Sequence, residues 1–169
     1  MSTVLVTGAN RGIGLEFCRQ YGSANWTVIA CCREPEQAFE LIQLSQTLNI
    51  HIEAVDVSKF EQIDALSKKL TNISIDLLIN NAGIYPDSSE SGFGALNYDF
   101  WPQAFLVNTM SPVKMAEAFL QQIKRSNKKL LVNVSSLMGS IADNTSGGSL
   151  FYRVVNGSIH GAKYRFYHC

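Results

Sequence analysis

Residues Thr7-Gly8-Ala9-Asn10-Arg11-Gly12-Ile13-Gly14 constrain the fold more than any other stretch. The apolar run Thr3-Val4-Leu5-Val6 leads into them, and a helical pattern of Ile13, Leu15, Phe17, Cys18 and Tyr21 leads out. Strand, glycine turn and helix start together suit a bound pyrophosphate. Glycines let the backbone turn tightly and approach the phosphates, and the free N–H groups of the first helical turn bind the negative charge. The spacing is G-x-x-x-G-x-G rather than the commoner G-x-G-x-x-G. A tight turn that binds nothing satisfies the same glycines, so the stretch needs support from the rest of the chain.

That support begins with periodicity. Apolar runs at 2–7, 26–31, 50–55, 75–80 and 129–134 read as strands, and 12–23, 35–47, 59–71 and about 98–125 read as helices. Strands alternating with helices imply right-handed crossovers and a parallel sheet covered on both faces. The Val/Ile/Leu runs suit strands buried on both faces. The fold expected is α/β, a Rossmann-like doubly wound parallel sheet truncated to about five strands. The Gly/Ser/Asn-rich stretch 138–149 reads as a surface loop.

A chain of 169 residues, 46% hydrophobic and 17% charged, suits one domain with a real core. Lys+Arg and Asp+Glu number 14 each, so no global charge recruits nucleic acid or an anionic membrane. No secretory signal pattern and no membrane-spanning run is evident. Cys18, Cys31, Cys32 and Cys169 form no C-x-x-C, and reduced thiols in a cytoplasmic protein are expected. His160, His168 and Cys169 match no usual zinc spacing, so no metal site is expected.

The strand ends carry the remaining chemistry. In a dinucleotide fold the second strand ends near the adenosine ribose, where an acidic residue selects NAD. Here that strand ends Cys31-Cys32-Arg33. Arg33, with Arg11 from the glycine loop, suits a 2′-phosphate bound bidentately, so NADP(H) is expected over NAD(H). The alternative is two solvated loop charges. Val55-Asp56-Val57 closes the third strand, where Asp56 either accepts from an adenine amino group or caps the next helix, a role for which Ser58 is better placed. Asn80-Asn81-Ala82-Gly83 ends the fourth strand with small residues that let a cofactor lie close. In the long helix Pro112 has no N–H to give the carbonyl of Asn108, which is freed to hold a water unless the kink merely serves packing. The fifth strand delivers Ser135-Ser136, and Phe151-Tyr152-Arg153 follows the loop.

Together these motifs resemble the classical short-chain dehydrogenase/reductase family over residues 1–153. T-G-x-x-x-G-I-G matches 7–14, N-N-A-G matches 80–83, the V-N-x-x-x-P helix matches 107–112, and V-N-V-S-S matches 132–136. Residues 139–144, Gly147-Gly148 and Tyr152-Arg153 are similar to the carbonyl-reductase subgroup that includes sniffer and the bacterial C-factor proteins. The resemblance implies hydride transfer between a nicotinamide and a small-molecule carbonyl or alcohol. It implies Ser136 as donor to the carbonyl oxygen, Tyr152 as general acid, and Asn108 as holder of a relay water. It assigns the cofactor to Gly8, Asn10, Arg11, Gly12, Ile13 and Gly14 at the pyrophosphate, and Arg33 at the 2′-phosphate. Asp56 and Val57 fall at the adenine, and Asn81, Ala82 and Gly83 on the adenosine side.

One position departs. The family's Y-x-x-x-K lysine lowers the tyrosine pKa, and here Asn156 stands in its place. An unperturbed phenol titrates near ~10, whereas a general acid works best near the operating pH. Lys163 is eleven residues beyond Tyr152, roughly 16 Å along a helix and too far to substitute. Residues 154–169 show neither helix nor strand period and read as an aperiodic tail unlike the family. A frameshift, splice variant or truncated gene model is the expected origin. The fifth strand would then be an apolar edge open to a second copy or a full-length paralogue, in a poorly soluble chain. A catalytically dead nucleotide-binding fragment is therefore the alternative to an impaired reductase.

Overall fold

The computed structural model describes residues 1–87 and 94–161. Five parallel strands, β1 (Thr3–Thr7), β2 (Thr27–Cys32), β3 (Ile50–Ala54), β4 (Leu77–Asn80) and β5 (Leu130–Asn133), form one sheet in the order β3-β2-β1-β4-β5. The order reverses between β1 and β4, which opens a crevice at their carboxyl ends, the usual ligand side of such sheets. Val4, Leu5 and Val6 of β1 are fully buried, as a central strand covered on both faces requires. Helices α1 (Gly12–Ser23) and α2 (Phe39–Ser45) cover one face through Cys18 and Leu41. On the other face lie α3 (Phe60–Lys69), α4 (Phe100–Phe105), α5 (Ser111–Ala118) and α6 (Leu120–Arg125), with Ile63, Met115, Phe119 and Ile123 in the core.

Between α4 and α5 the helix widens to a π segment, Leu106–Met110. Pro112 cannot donate to the carbonyl of Asn108, and the wider turn accommodates that missing bond. Ser111 adds to it, its hydroxyl lying 2.6 Å from the Leu106 carbonyl and 2.7 Å from that of Val57.

Four sequence expectations need correction. The tail reading of 154–169 fails over its first half: α7 (Leu150–Gly161) runs straight through the 153/154 boundary. Its buried stripe is Phe151, Val155 and Ile159, a spacing of four that straddles the boundary and shrinks to the single pair Val155 and Ile159 when counting starts at Val154. The helix expected at 35–47 is a 3₁₀ turn, Pro35–Gln37, followed by α2, because Ala38 leaves helical geometry at ψ 60°. Ser58 does not cap α3. It donates its N–H and O–H to Asp56 Oδ1, at 3.0 and 2.7 Å, and Lys59 holds the cap position without a side-chain bond. Finally, β5 is not buried on both faces, since Leu130 is 49% and Val132 43% exposed. Lys163, His168 and Cys169 lie outside the described residues. Among the described residues no helix is long and apolar enough to cross a membrane.

Candidate active site

The glycine loop is built by close approach. A Cβ on Gly14 would stand 2.1 Å from the Gly8 carbonyl oxygen, so no other residue lets α1 start this near β1. Gly12 has φ +56°, and nothing lies within 4 Å of where its Cβ would point. That open, left-handed position faces space a ligand can fill. The loop is latched to the end of β4. Asn81 Nδ2 donates to the carbonyls of Thr7 (2.9 Å) and Gly8 (3.2 Å), while Thr7 Oγ1 accepts from the amides of Asn81 (3.0 Å) and Ala82 (3.1 Å).

This latch leaves a cavity of about 400 Å³ at the switch point. It is lined by Gly8, Asn10, Arg11, Gly12, Ile13 and Gly14 from the loop, Arg33 beyond β2, Asp56 and Val57 beyond β3, and Asn81, Ala82 and Gly83 beyond β4. Residues far apart in the sequence thus share one wall. Arg33 and Arg11 make it cationic. Burial disfavours the Asp56 charge, but the Ser58 donors, with Arg33 and Lys59 nearby, outweigh it and hold the carboxyl below its ordinary range. Asp56 thereby favours its charged form, with Arg33 among the cations that stabilise it. The loop geometry and cation pair fit a dinucleotide carrying an extra phosphate. Cys32 lines this cavity and Cys31 precedes it in β2, both thiols whose pKa is raised, mainly by burial.

A second cavity of about 520 Å³ adjoins the first and shares Arg11, Arg33 and Gly83 with it. Its far wall carries Asn108, Ser135, Tyr152 and Asn156. Asn108 is buried, and its side chain both donates to the Ile84 carbonyl (2.8 Å) and accepts from the Ile84 amide (2.9 Å). That pins the segment after β4. Asn80 Nδ2 ties β4 to β5 and α5 through Asn133 Oδ1 (2.9 Å) and the Pro112 carbonyl (3.2 Å). The Tyr152 ring packs 4.7 Å from that of Tyr85. Ser136 sits at the same strand end, its Oγ accepting from the Met138 amide at 3.2 Å, so the hydroxyl proton stays free to donate.

Several features of the site escape sequence reasoning. Asp87 accepts from the amides of Phe151 (3.2 Å) and Tyr152 (2.8 Å) and so caps α7 from a distant segment. Ser149, the residue before the helix, has φ +46° and spends its hydroxyl on Tyr85, 2.6 Å away. Asn156 is buried, and its Nδ2 donates to the Tyr152 carbonyl at 2.9 Å. Ser135 rather than Ser136 lines the cavity, and its Oγ lies 2.8 Å from His160 Nε2. No sequence pattern marks contacts between residues 25 to 65 positions apart. Among the described residues no group of three or more His, Cys, Asp or Glu could hold a metal.

Sheet order, glycine crossover and paired cavities define a doubly wound α/β protein with its site at the switch point. A family model described as short chain dehydrogenase matches residues 2–147, and the chain belongs to that family of oxidoreductases. It is 32% identical to 1-hydroxy-2-glutathionyl-2-methyl-3-butene dehydrogenase of Rhodococcus sp. (strain AD45), over 99% of this chain and 71% of that protein. It is 32% identical to (+)-neomenthol dehydrogenase of Arabidopsis thaliana, over 81% of this chain and 54% of that protein. The structure of NADPH-bound carbonyl reductase from chicken fatty liver superposes with a TM-score of 0.82 at 33% identity, over 95% of this chain and 71% of that one. The chain spans about half the length of several relatives that it matches.

Proposed function

We propose that the chain binds NADP(H) in the first cavity and reduces a small-molecule carbonyl in the second, with a catalytic machinery weakened at Asn156. The observation that carries this reading is the shared wall. The glycine loop, Arg11 and Arg33 surround one cavity, and Tyr152 and Asn108 line the next. The NADPH named for the chicken carbonyl reductase supports the cofactor choice. When bound, the nicotinamide supplies the hydride. Tyr152 donates its phenolic proton to the carbonyl oxygen, and Ser136, next in sequence to the cavity-lining Ser135, is the second donor in this reading. Asn108 holds Ile84 and the facing wall in place. The carbonyl of Asn108, deprived of a Pro112 donor, accepts from the water that restores the Tyr152 proton.

Asn156 supports the second reading, nucleotide binding without turnover. It supplies no positive charge beside Tyr152, and its amide is already spent on the helix backbone. Fluorescence titration with NADPH, followed by a reactive carbonyl such as a quinone, separates the two. Turnover that falls ~10²–10⁴-fold in Tyr152→Phe supports the reductase. Binding with no turnover supports the fragment, and absence of binding sinks both.

A further inference from the structure

The reduction leaves Ser135 and His160 unused. Ser135 stands at the carboxyl end of β5, on the ligand side of the sheet, just before the 3₁₀ turn Leu137–Gly139. Among the described residues its Oγ has two hydrogen-bond partners: His160 Nε2 at 2.8 Å and Asn156 Oδ1 at 3.5 Å. The imidazole is therefore its principal partner. Tyr152, Asn156 and His160 follow at four-residue intervals along one face of α7, so the helix that presents the phenol also presents the imidazole. Ser135 lines the second cavity while His160 is exposed, which joins a cavity hydroxyl to a base open to solvent. A serine hydroxyl becomes a nucleophile when a base within hydrogen-bond reach takes its proton, and histidine titrates nearest to neutral pH.

The geometry points to a second activity that does not rest on the reductase reading: Ser135 is a nucleophile and His160 its general base, acting on a carboxylic ester in the second cavity. The lining suits an apolar acyl group at Ile84, Tyr85 and Ile159 and an anionic leaving part toward Arg11 and Arg33. Ser135 Oγ attacks the acyl carbon as its proton passes to His160 Nε2. The bond to the leaving alcohol breaks, and the alcohol takes that proton. Water then attacks the acyl-serine ester, giving a proton to His160. The acid departs and the Ser135 hydroxyl is restored. Tyr152, on the same wall, donates to the oxyanion. Among the described residues no carboxylate hydrogen-bonds the imidazole, and loss of that third member from a triad costs ~10⁴-fold. Acylation is accordingly the step to observe, rather than rapid turnover.

The test treats the full chain with 4-nitrophenyl butyrate and, separately, with a fluorophosphonate probe, locating any adduct by peptide mass spectrometry. The expected result is one adduct, on Ser135, and a burst of one 4-nitrophenolate per chain. Ser135→Ala abolishes both, His160→Gln slows acylation by ~10²-fold or more, and Ser158→Ala changes neither. The variant Ser135→Cys guards against misfolding. Beside His160 its thiolate reacts with iodoacetamide faster than free cysteine. A folded wild type with no Ser135 adduct overturns the proposal. So does an acylation rate unchanged in His160→Gln, or a thiol in Ser135→Cys no more reactive than free cysteine.

Discussion

Replacing Asp87 by alanine tests how the helix that carries Tyr152 is held. The first amides of a helix have no partner within it. In α7 the preceding Ser149 cannot cap them, because its φ of +46° and its bond to Tyr85 direct it elsewhere. Asp87 does so instead, one carboxylate oxygen to each of the Phe151 and Tyr152 amides. Loss of an N-cap costs ~0.5–2 kcal/mol, and loss of a negative charge at a helix N-terminus a further ~0.3–1 kcal/mol. A central value of about 2 kcal/mol lowers Tm by about 4–8 °C for a chain of this size. Asp87→Asn keeps an acceptor but no charge and falls between. Differential scanning fluorimetry gives the shift, and hydrogen exchange at residues 151–155 locates it. An Asp87→Ala melt within ~1 °C of wild type, or unchanged exchange in α7, refutes the capping argument.

Asn156→Lys places an ammonium on the cavity wall beside Tyr152. Carbonyl turnover rises at least ~10-fold at pH 7, measured by NADPH absorbance, and no gain contradicts the view that Asn156 limits the site. Burial drives the Cys18 pKa up to about 12, and burial raises that of Cys31 as well. Both thiols therefore stay unalkylated by iodoacetamide at pH 8 in the native protein and react on unfolding, as peptide mapping reads directly. The Asp56 pKa is depressed in the fold, so its contribution to stability is full above the unfolded value near ~3.9 and is lost as pH falls through the folded value. Ser58→Ala removes one donor that depresses it. The urea midpoint consequently drops less between pH 5 and pH 3 in Ser58→Ala than in wild type, and equal drops contradict the assignment.

The sheet is legible in the sequence because its signals are local. Continuous apolar runs mark the strands, and the glycine loop marks the first crossover. The two arginines on the wall of the first cavity are legible for the same reason, since Arg11 and Arg33 each follow a strand end. What escapes is non-local or disguised. The stripe of α7, Phe151, Val155 and Ile159, is interrupted by Gly157 and straddles Val154, where the sequence reads as the start of a tail. Asp87 caps a helix whose bonded amides are 64 and 65 positions away, and Ser135 meets His160 only because β5 and α7 pack together. The exposure of Leu130 and Val132 depends on what flanks β5, which an apolar run does not encode. Ala38 shortens α2 through a backbone angle that alanine, a strong helix former, gives no hint of.

The proposed function requires the first cavity to hold a dinucleotide bearing a 2′-phosphate. Dissociation constants for NADPH and NADH, measured by fluorescence titration on wild type and Arg33→Ala, test this. A charge-assisted contact is worth about 1.5–3 kcal/mol, so NADPH is expected to bind ~10–100-fold more tightly than NADH, with most of that margin lost in Arg33→Ala. NADH binding as tightly as NADPH, or a margin untouched by Arg33→Ala, would show that Arg33 does not hold a 2′-phosphate.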